Sequence, residues 1–376
     1  MSQLRVVHFN DHFFHRIPFG LARYGHELFR ETQTQQDLSV LPVGIWTNLE
    51  APALARLREQ TGALLLGGGR KLWASGWHFV GLPRLEWVIG DFDVLHICAP
   101  GYRIPTHRPS VVTIHDIGLI THPHFFSPQY RWLFRGHMRD LLQRNARIIA
   151  VSRHTAEEFR RAFGSGLRVD VVHEGVADVF LEPPEAVLVE QMRARIGAPF
   201  FLSAGSFNPR KNLLRVCRAF AAIADRVPHS LVLVGARGWD DDEVWAELDT
   251  PALRGRVHTL GFVADRELCA LYAAADALVF ASLFEGFGLP AVEAMGAGCP
   301  VIASNTTSLP EVVGDAGLLV DPVDTQAISS AMCRLASDAP LRADLSARGR
   351  ERARQFSWAR ARDATCAVYR ELARSA

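Results

Sequence analysis

A chain of 376 residues, 48% hydrophobic and 22% charged, exceeds one comfortable core and has the composition of a globular protein in two domains. Disordered, fibrous and disulfide-stapled classes are excluded. A net charge of +1 names no partner, and the contrast between residues 1–180 (20 basic, 16 acidic) and 181–376 (21 basic, 24 acidic) is too weak for nucleic acid.

The start MSQLRVVHFNDHF passes into a strand pattern without the ordered segments of a signal peptide. The apolar run 271–284 is broken by Asp276 and falls short of a bilayer span, so a cytoplasmic chain without a transmembrane helix is expected. Six cysteines without CxxC spacing sit in apolar runs and read as core residues of a reducing compartment; no zinc site is expected.

In chain order, LRVVHFN precedes GLARYGHELFRE, VVTIHD precedes an amphipathic stretch over 129–147, and RIIAVS precedes RHTAEEFRRAFG and VDVVHEG. This alternation predicts βαβ units and a parallel sheet over residues 1–180. Pro183 and Pro184 then interrupt the pattern, and 181–198 reads as a linker. Six short apolar runs, FFLSAGS, HSLVLVGA, RVHTLGF, ALVFAS, PVIAS and GLLVDP, alternate with helical patterns over 199–355 and predict a second doubly wound domain. The tail 356–376 has helical spacing through Trp358, Ala361, Thr365, Val368 and Leu372. Ligands of such sheets bind beyond the strands' C-terminal ends, so the loops there are where chemistry is sought.

His115 ends an apolar strand at such a place, where a lone histidine reads equally as a structural or a catalytic residue. His122 and His124 lack a third ligand at usable spacing. Asp91 with Asp93, and the run Asp240–Asp242, mimic a metal-binding Asp-x-Asp, but the first pair opens a strand and the run caps a helix. GGGRK (67–71) lacks the strand and helix of a phosphate loop. The helix over 129–147 sets Arg131, Arg135 and Arg139 beside Trp132, Leu133 and Phe134, which suits an anionic membrane surface or an ordinary solvated face over a core stripe.

Gly205, Asn208 and Pro209 mark a turn before a helix, with Arg210 and Lys211 at its mouth. Lys71 and Lys211 are the only lysines among 41 basic residues, so a lysine beside an arginine is unusual here. Together the pair suits a diphosphate; alone it also reads as a solvated helix start. Further on, EGFGLPAVEAMGAGCPVIAS (285–304) sets Gly286 and Gly288 before a helix opened by Pro290, an anion cradle of backbone amides. Glu285 precedes it and Glu293 follows in what reads as the helix's first turn, positions for binding two hydroxyl-bearing rings. Each glutamate alone reads equally as a loop carboxylate and a dipole-favoured residue.

The whole string, with Asn305, Ser308, Leu309, Pro310 and Glu311 after it, resembles the signature of the retaining glycosyltransferases of family 4. GLARYGHEL (20–28), VTIHD (112–116), AVSRHTAEEF (150–159) and VVHEGV (171–176) extend the resemblance over nearly the whole chain. It implies the GT-B fold: two facing Rossmann-like α/β domains with parallel sheets, the first binding the acceptor, and a C-terminal helix crossing back to the first. It also implies transfer of a hexose from a nucleotide-diphosphate sugar to a saccharide or lipid-linked acceptor, with neither metal nor other cofactor. Glu285, His115, Arg210 and Lys211 take catalytic places. Gly20, Gly205, Phe262, Val263, Gly286, Phe287, Gly288, Leu289 and Glu293 take donor-binding ones, Phe262 and Val263 through main-chain contacts to the base.

Two departures stand out: Phe19-Gly20 where the family often has two glycines, and Glu174-Gly175 where it commonly has Asn-Gly. The stretch TIHDIGLITHPHFFSP resembles bacterial mannosyltransferases of surface-polysaccharide assembly and makes GDP-mannose the first expected donor. Rival readings are a nucleotide-sugar hydrolase or epimerase of the same fold, a non-catalytic nucleotide-sugar-binding subunit, and a pyridoxal phosphorylase, for which the chain is too short by family comparison.

Overall fold

A computed structural model of the chain describes residues 3–16, 20–125, 128–237 and 242–375; Phe19, Asp240 and Asp241 lie outside the described residues. The chain divides into two compact units, 1–175 with 358–376, and 176–357.

The first unit is built on a parallel sheet of seven strands among the described residues: β1 (Leu4–Phe9), β2 (Leu38–Gly44), β3 (Leu64–Leu65), β4 (Val94–Ile97), β5 (Ser110–Ile114), β6 (Arg147–Ala150) and β7 (Val169–Val171). Their order is β3-β2-β1-β4-β5-β6-β7. β4, β5 and β6 are buried along their whole length, as continuous apolar runs in a parallel sheet require. β2 was hidden in the sequence because Pro42, which pairs with His8, stands in its middle.

The C-terminal helix Trp358–Arg374 belongs to this unit and packs on the helix Gly20–Thr32 and on β1, β4 and β5. At the junction, a Cβ on Gly175 would lie 2.3 Å from the Trp358 backbone nitrogen, so no side chain fits there. Further along, the Tyr369 hydroxyl lies 2.8 Å from His8 Nε2 and 2.5 Å from His96 Nδ1. His96 Nε2 in turn meets Thr113 Oγ1 at 2.8 Å, and Thr113 meets the Tyr24 hydroxyl at 2.8 Å. One buried chain of polar contacts thus fastens three neighbouring strands to two helices. Burial pushes the His8 imidazole down to about 3 and that of His96 well below its ordinary range, so both are neutral.

The second unit repeats the plan with β8 (Phe200–Ala204), β9 (Ser230–Val234), β10 (Val257–Gly261), β11 (Ala277–Phe280), β12 (Val301–Ser304) and β13 (Leu318–Val320), in the order β10-β9-β8-β11-β12-β13. The stretch 181–198 carries the helix Ala186–Ile196, which packs on Asp265–Ala274 within this unit. Gly205 and Gly235 end β8 and β9 with φ of +139° and +144°; a Cβ on Gly235 would lie 2.0 Å from the Gly205 carbonyl oxygen. Only glycine allows those two loops so close an approach. In both sheets the order reverses beside the first strand, at β1/β4 and at β8/β11, where doubly wound sheets bind their ligands. The architecture is the GT-B plan of two parallel-sheet α/β domains. Among the described residues no helix is long and apolar enough to cross a membrane.

Replacing Tyr369 by Phe removes the partner of His8 Nε2 and of His96 Nδ1 and is expected to cost about 2 kcal/mol in urea unfolding. The buried histidines stay neutral in the folded chain but take up protons from about 6.5 downward once unfolded. Their contribution to stability is therefore complete above pH 6.5. It is lost on acidification, by about 1.4 kcal/mol per pH unit for each histidine, in melting curves between pH 7 and 5.

Candidate functional site

Beyond β8, the chain makes a short 3-10 turn, Pro209–Lys211, instead of entering its helix directly. Asn212 follows with φ of +59°, and its side-chain amide donates to the carbonyls of Ala281 (2.8 Å) and Pro322 (2.7 Å). The Leu283 amide donates to the Arg210 carbonyl at 2.8 Å. These bonds pin the turn to the loop after β11. There the Glu285 carboxylate accepts from Arg210 Nη1 on Oε2 and from Lys211 Nζ on Oε1, each at 2.7 Å. Arg210 Nη1 also donates to the Phe284 carbonyl at 2.7 Å, and Lys211 Nζ lies 4.8 Å from the Phe280 ring centroid. The Lys211 stem fills the space beside Gly205, where a Cβ would lie 3.3 Å from its Cε.

Burial alone would raise the Glu285 carboxyl, but the Arg210 and Lys211 charges outweigh it and hold the group down at about 2. Burial pushes the Lys211 ammonium below its ordinary range, against the pull of Glu285. The cluster is thus an ionised carboxylate clamped between two cations.

The loop 286–289 is held from behind. Ser308 donates to the carbonyls of Glu285 (3.0 Å) and Phe287 (2.8 Å), and the Glu285 amide donates to Thr307 Oγ1 at 3.3 Å. Gly288 has φ of +108°, and a Cβ there would lie 2.6 Å from Leu309. Phe287 is buried edge-on to Phe356 with ring centroids 5.5 Å apart.

Leu289 opens the helix Leu289–Ala297. Because the helix begins there, Glu293 lies beyond the first turn, contrary to the sequence reading. The dipole explanation therefore does not account for it. Glu293 is buried, accepts from the Tyr272 hydroxyl at 3.4 Å, and its charge acts on Lys211. After β10, Phe262 is exposed and Val263 buried.

In the first unit the loops beyond β1, β4 and β5 enclose a pocket of about 270 Å³, lined by Asp11, His12, Trp46, Arg70, Tyr102 and His115 among others. Tyr102 donates a short hydrogen bond to Asp11, which also accepts from the Ile45 amide at 2.7 Å. Burial raises the Asp11 carboxyl and lowers His12 to about 4.

His115 Nε2 meets the Cys98 carbonyl at 2.8 Å and so carries a proton, since a carbonyl only accepts. Its Nδ1 meets Glu174 Oε1 at 2.8 Å. Both ring nitrogens are therefore engaged within this unit. The residue that departs from the family's Asn-Gly is the one that holds the histidine. Gly20 opens its helix, and a Cβ there would meet nothing within 4 Å.

Sequence reasoning missed Asn212, Glu174 and the Asp11–Arg70 pocket. Only Glu174 had left a signal, as a departure from the motif. Asp91 is taken up by Arg5 at 3.0 Å and by Arg108, and the Arg5 amide donates to Asp93 at 2.7 Å. Among the described residues no group of three or more His, Cys, Asp or Glu is arranged to hold a metal ion.

A family model described as Glycosyltransferase Family 4 matches residues 20–178, and one described as Glycosyl transferases group 1 matches 189–352. The chain is 34% identical over 296 residues to the O-antigen chain mannosyltransferase B of Escherichia coli, covering 77% of each. It is 28% identical to the serotype-specific mannosyltransferase WbdA of Escherichia coli over 74% of this chain and 35% of that longer protein. Among solved structures, Anabaena Alr3699/HepE in complex with UDP and glucose superposes with a TM-score of 0.76 at 20% identity, over 98% of this chain and 100% of that one. WaaG, a glycosyltransferase involved in lipopolysaccharide biosynthesis, does so with 0.74 at 17%, over 97% and 99%.

Replacing Glu285 by Gln leaves two half-buried cations facing an amide, and is expected to destabilise the chain by about 3 kcal/mol at pH 7. The carboxylate's contribution is complete above pH 4.5 and is lost as pH falls from there toward about 2. Unfolding free energies of wild type and variant should accordingly converge below pH 4.5.

Proposed function

We propose, on the premise that this chain belongs to the family 4 glycosyltransferases and is a glycosyltransferase enzyme, that it moves a hexose from a nucleotide-diphosphate sugar to a saccharide acceptor with retention of configuration and without a metal. The observation that carries this reading is the clamp of Arg210 and Lys211 on Glu285 at the β8/β11 switch point, beside a loop of amides at a helix start.

Two cations and the amides of Gly286 to Leu289 suit the β-phosphate of a departing nucleoside diphosphate, whose developing charge they stabilise. The acceptor hydroxyl attacks the anomeric carbon from the face the diphosphate leaves. The bond from that carbon to the phosphate oxygen breaks with its electron pair on the phosphate, and the same phosphate oxygen takes the hydroxyl proton. No protein nucleophile is needed. Glu285, kept ionised, orients the sugar hydroxyls together with His115, which Glu174 holds in place. Glu293 binds the ribose, and the main chain at Phe262 and Val263 the base. Gly20 keeps the backbone open to the donor, and Gly205 makes room for the Lys211 stem that reaches it. In the first unit the pocket of Asp11, Trp46 and Arg70 suits a saccharide acceptor, an aromatic face with charged hydroxyl partners.

The names of two relatives, both mannosyltransferases, support mannose, with GDP-mannose as the first choice of donor, and the O-antigen relative supports a polysaccharide or lipid-linked acceptor. The UDP and glucose of the Anabaena protein are the alternative donor class to set beside it.

Thermal shift against GDP, UDP and ADP identifies the base, GDP being expected to stabilise most. Lys211→Ala, which leaves Glu285 to Arg210 alone, is expected to lower folding stability at the clamp and to lower turnover of the folded chain by about 100-fold or more. Near-normal transfer by the folded variant would sink the assignment. Rapid sugar release from donor without acceptor would instead mark a hydrolase.

A further inference from the structure

Between β3 and β4 the first unit makes an excursion: a helix Arg70–Ser75, a π-helical turn Gly76–Val80 and a helix Leu85–Ile89. It begins at Lys71, the lysine that the donor site leaves unexplained. One side of the excursion is anchored. Trp77 is buried edge-on to Phe9 with centroids 5.7 Å apart, its indole N–H donating to the Pro83 carbonyl at 2.9 Å, and Leu85 is buried beside it in the same core.

The other side is apolar as well, and it stands in solvent. Among the described residues, six of the twelve exposed large apolar side chains fall between 72 and 88, with Phe79 78% exposed, Leu72 67% and Trp87 62%. A seventh, Trp132 of the helix Pro128–Gln143, reaches the excursion through His78, with ring centroids 4.6 Å apart. Single exposed apolar residues are ordinary, but six within one short stretch form a patch that water does not favour.

The charges around the patch have one free sign. Lys71 and Arg84 make no ion pair among the described residues, and the Arg84 guanidinium lies over the Trp87 ring at 5.1 Å. The nearby acidic groups are already engaged. Glu86 accepts from the His107 amide at 3.0 Å, and Asp140 pairs with Arg103 and Arg144, each at 2.8 Å. Tryptophan and phenylalanine beside unneutralised Lys and Arg match a lipid headgroup boundary, where rings enter the interface and cations meet phosphates.

We propose that this face of the first unit docks on an anionic lipid bilayer. Leu72, Phe79, Val80 and Trp87 enter the interface, and Lys71 and Arg84 meet the headgroups. The helix 128–143, whose arginines read from sequence as a membrane contact or as an ordinary solvated face, joins this face through Trp132.

Cosedimentation of the full chain with phosphatidylcholine vesicles, with and without phosphatidylglycerol, tests this. Wild type should pellet with the anionic vesicles and be released by high salt. Phe79→Ser/Trp87→Ser and, separately, Lys71→Gln/Arg84→Gln should each weaken partition at least about tenfold with unchanged melting midpoints. Wild type remaining in the supernatant with anionic vesicles overturns the proposal, as does a double variant that pellets like wild type. A concentration-dependent dimer that Phe79→Ser/Trp87→Ser dissociates, in a chain that binds no vesicle, also overturns it and assigns the patch to a second copy.

Discussion

A carboxylate taken out of water must be met by positive charge, and in this chain the answer to that requirement organises the second unit. Glu285 is ionised because Arg210 and Lys211 reach it from a turn 74 residues earlier in the chain. The turn reaches it because Asn212 adopts a left-handed conformation and ties its side chain to two carbonyls. Gly205 and Gly235 leave room for the lysine stem and for each other's backbone. Any one of these features alone is a local oddity. Together they are the supports of a single charge cluster beside a loop of amides at a helix start.

The first unit solves a different problem with different means. Its histidines are kept neutral by burial and are fastened by hydroxyls, not by opposite charges. Thr113 passes the contact to Tyr24, whose ring stands edge-on to His115 at 4.6 Å. The pocket histidine is therefore backed on one side by a neutral network and on another by Glu174.

How much was legible depended on the range of the interactions involved. The central strands β8, β9, β11 and β12 of the second unit were plain because strands buried on both faces are unbroken apolar runs, and the motif over 285–304 is local enough to be read as a string. β2 was masked by Pro42, and β3, two residues long, has no pattern to show. Strand order was not legible at all, since it is decided by pairing between distant segments. For the same reason the sequence put Arg210, Lys211 and Glu285 in one site only through resemblance, without their mutual geometry. The stretch LWASGWHFV misleads in the opposite direction, because an apolar run suggests a core and only Trp77 within it is buried.

The excursion that carries this run is one short helix thick. Arg70 lines the pocket on its inner side, with its guanidinium 6.0 Å from the Tyr102 ring centroid, and Leu72, two positions on, stands in solvent. A wall this thin has no interior of its own to insulate one face from the other. A substitution that reshapes the pocket side shifts the backbone that presents the outer side, and the reverse holds equally. Pocket shape and outer-surface chemistry thus draw on a single segment, so among relatives of this chain the two traits should diverge together and not independently.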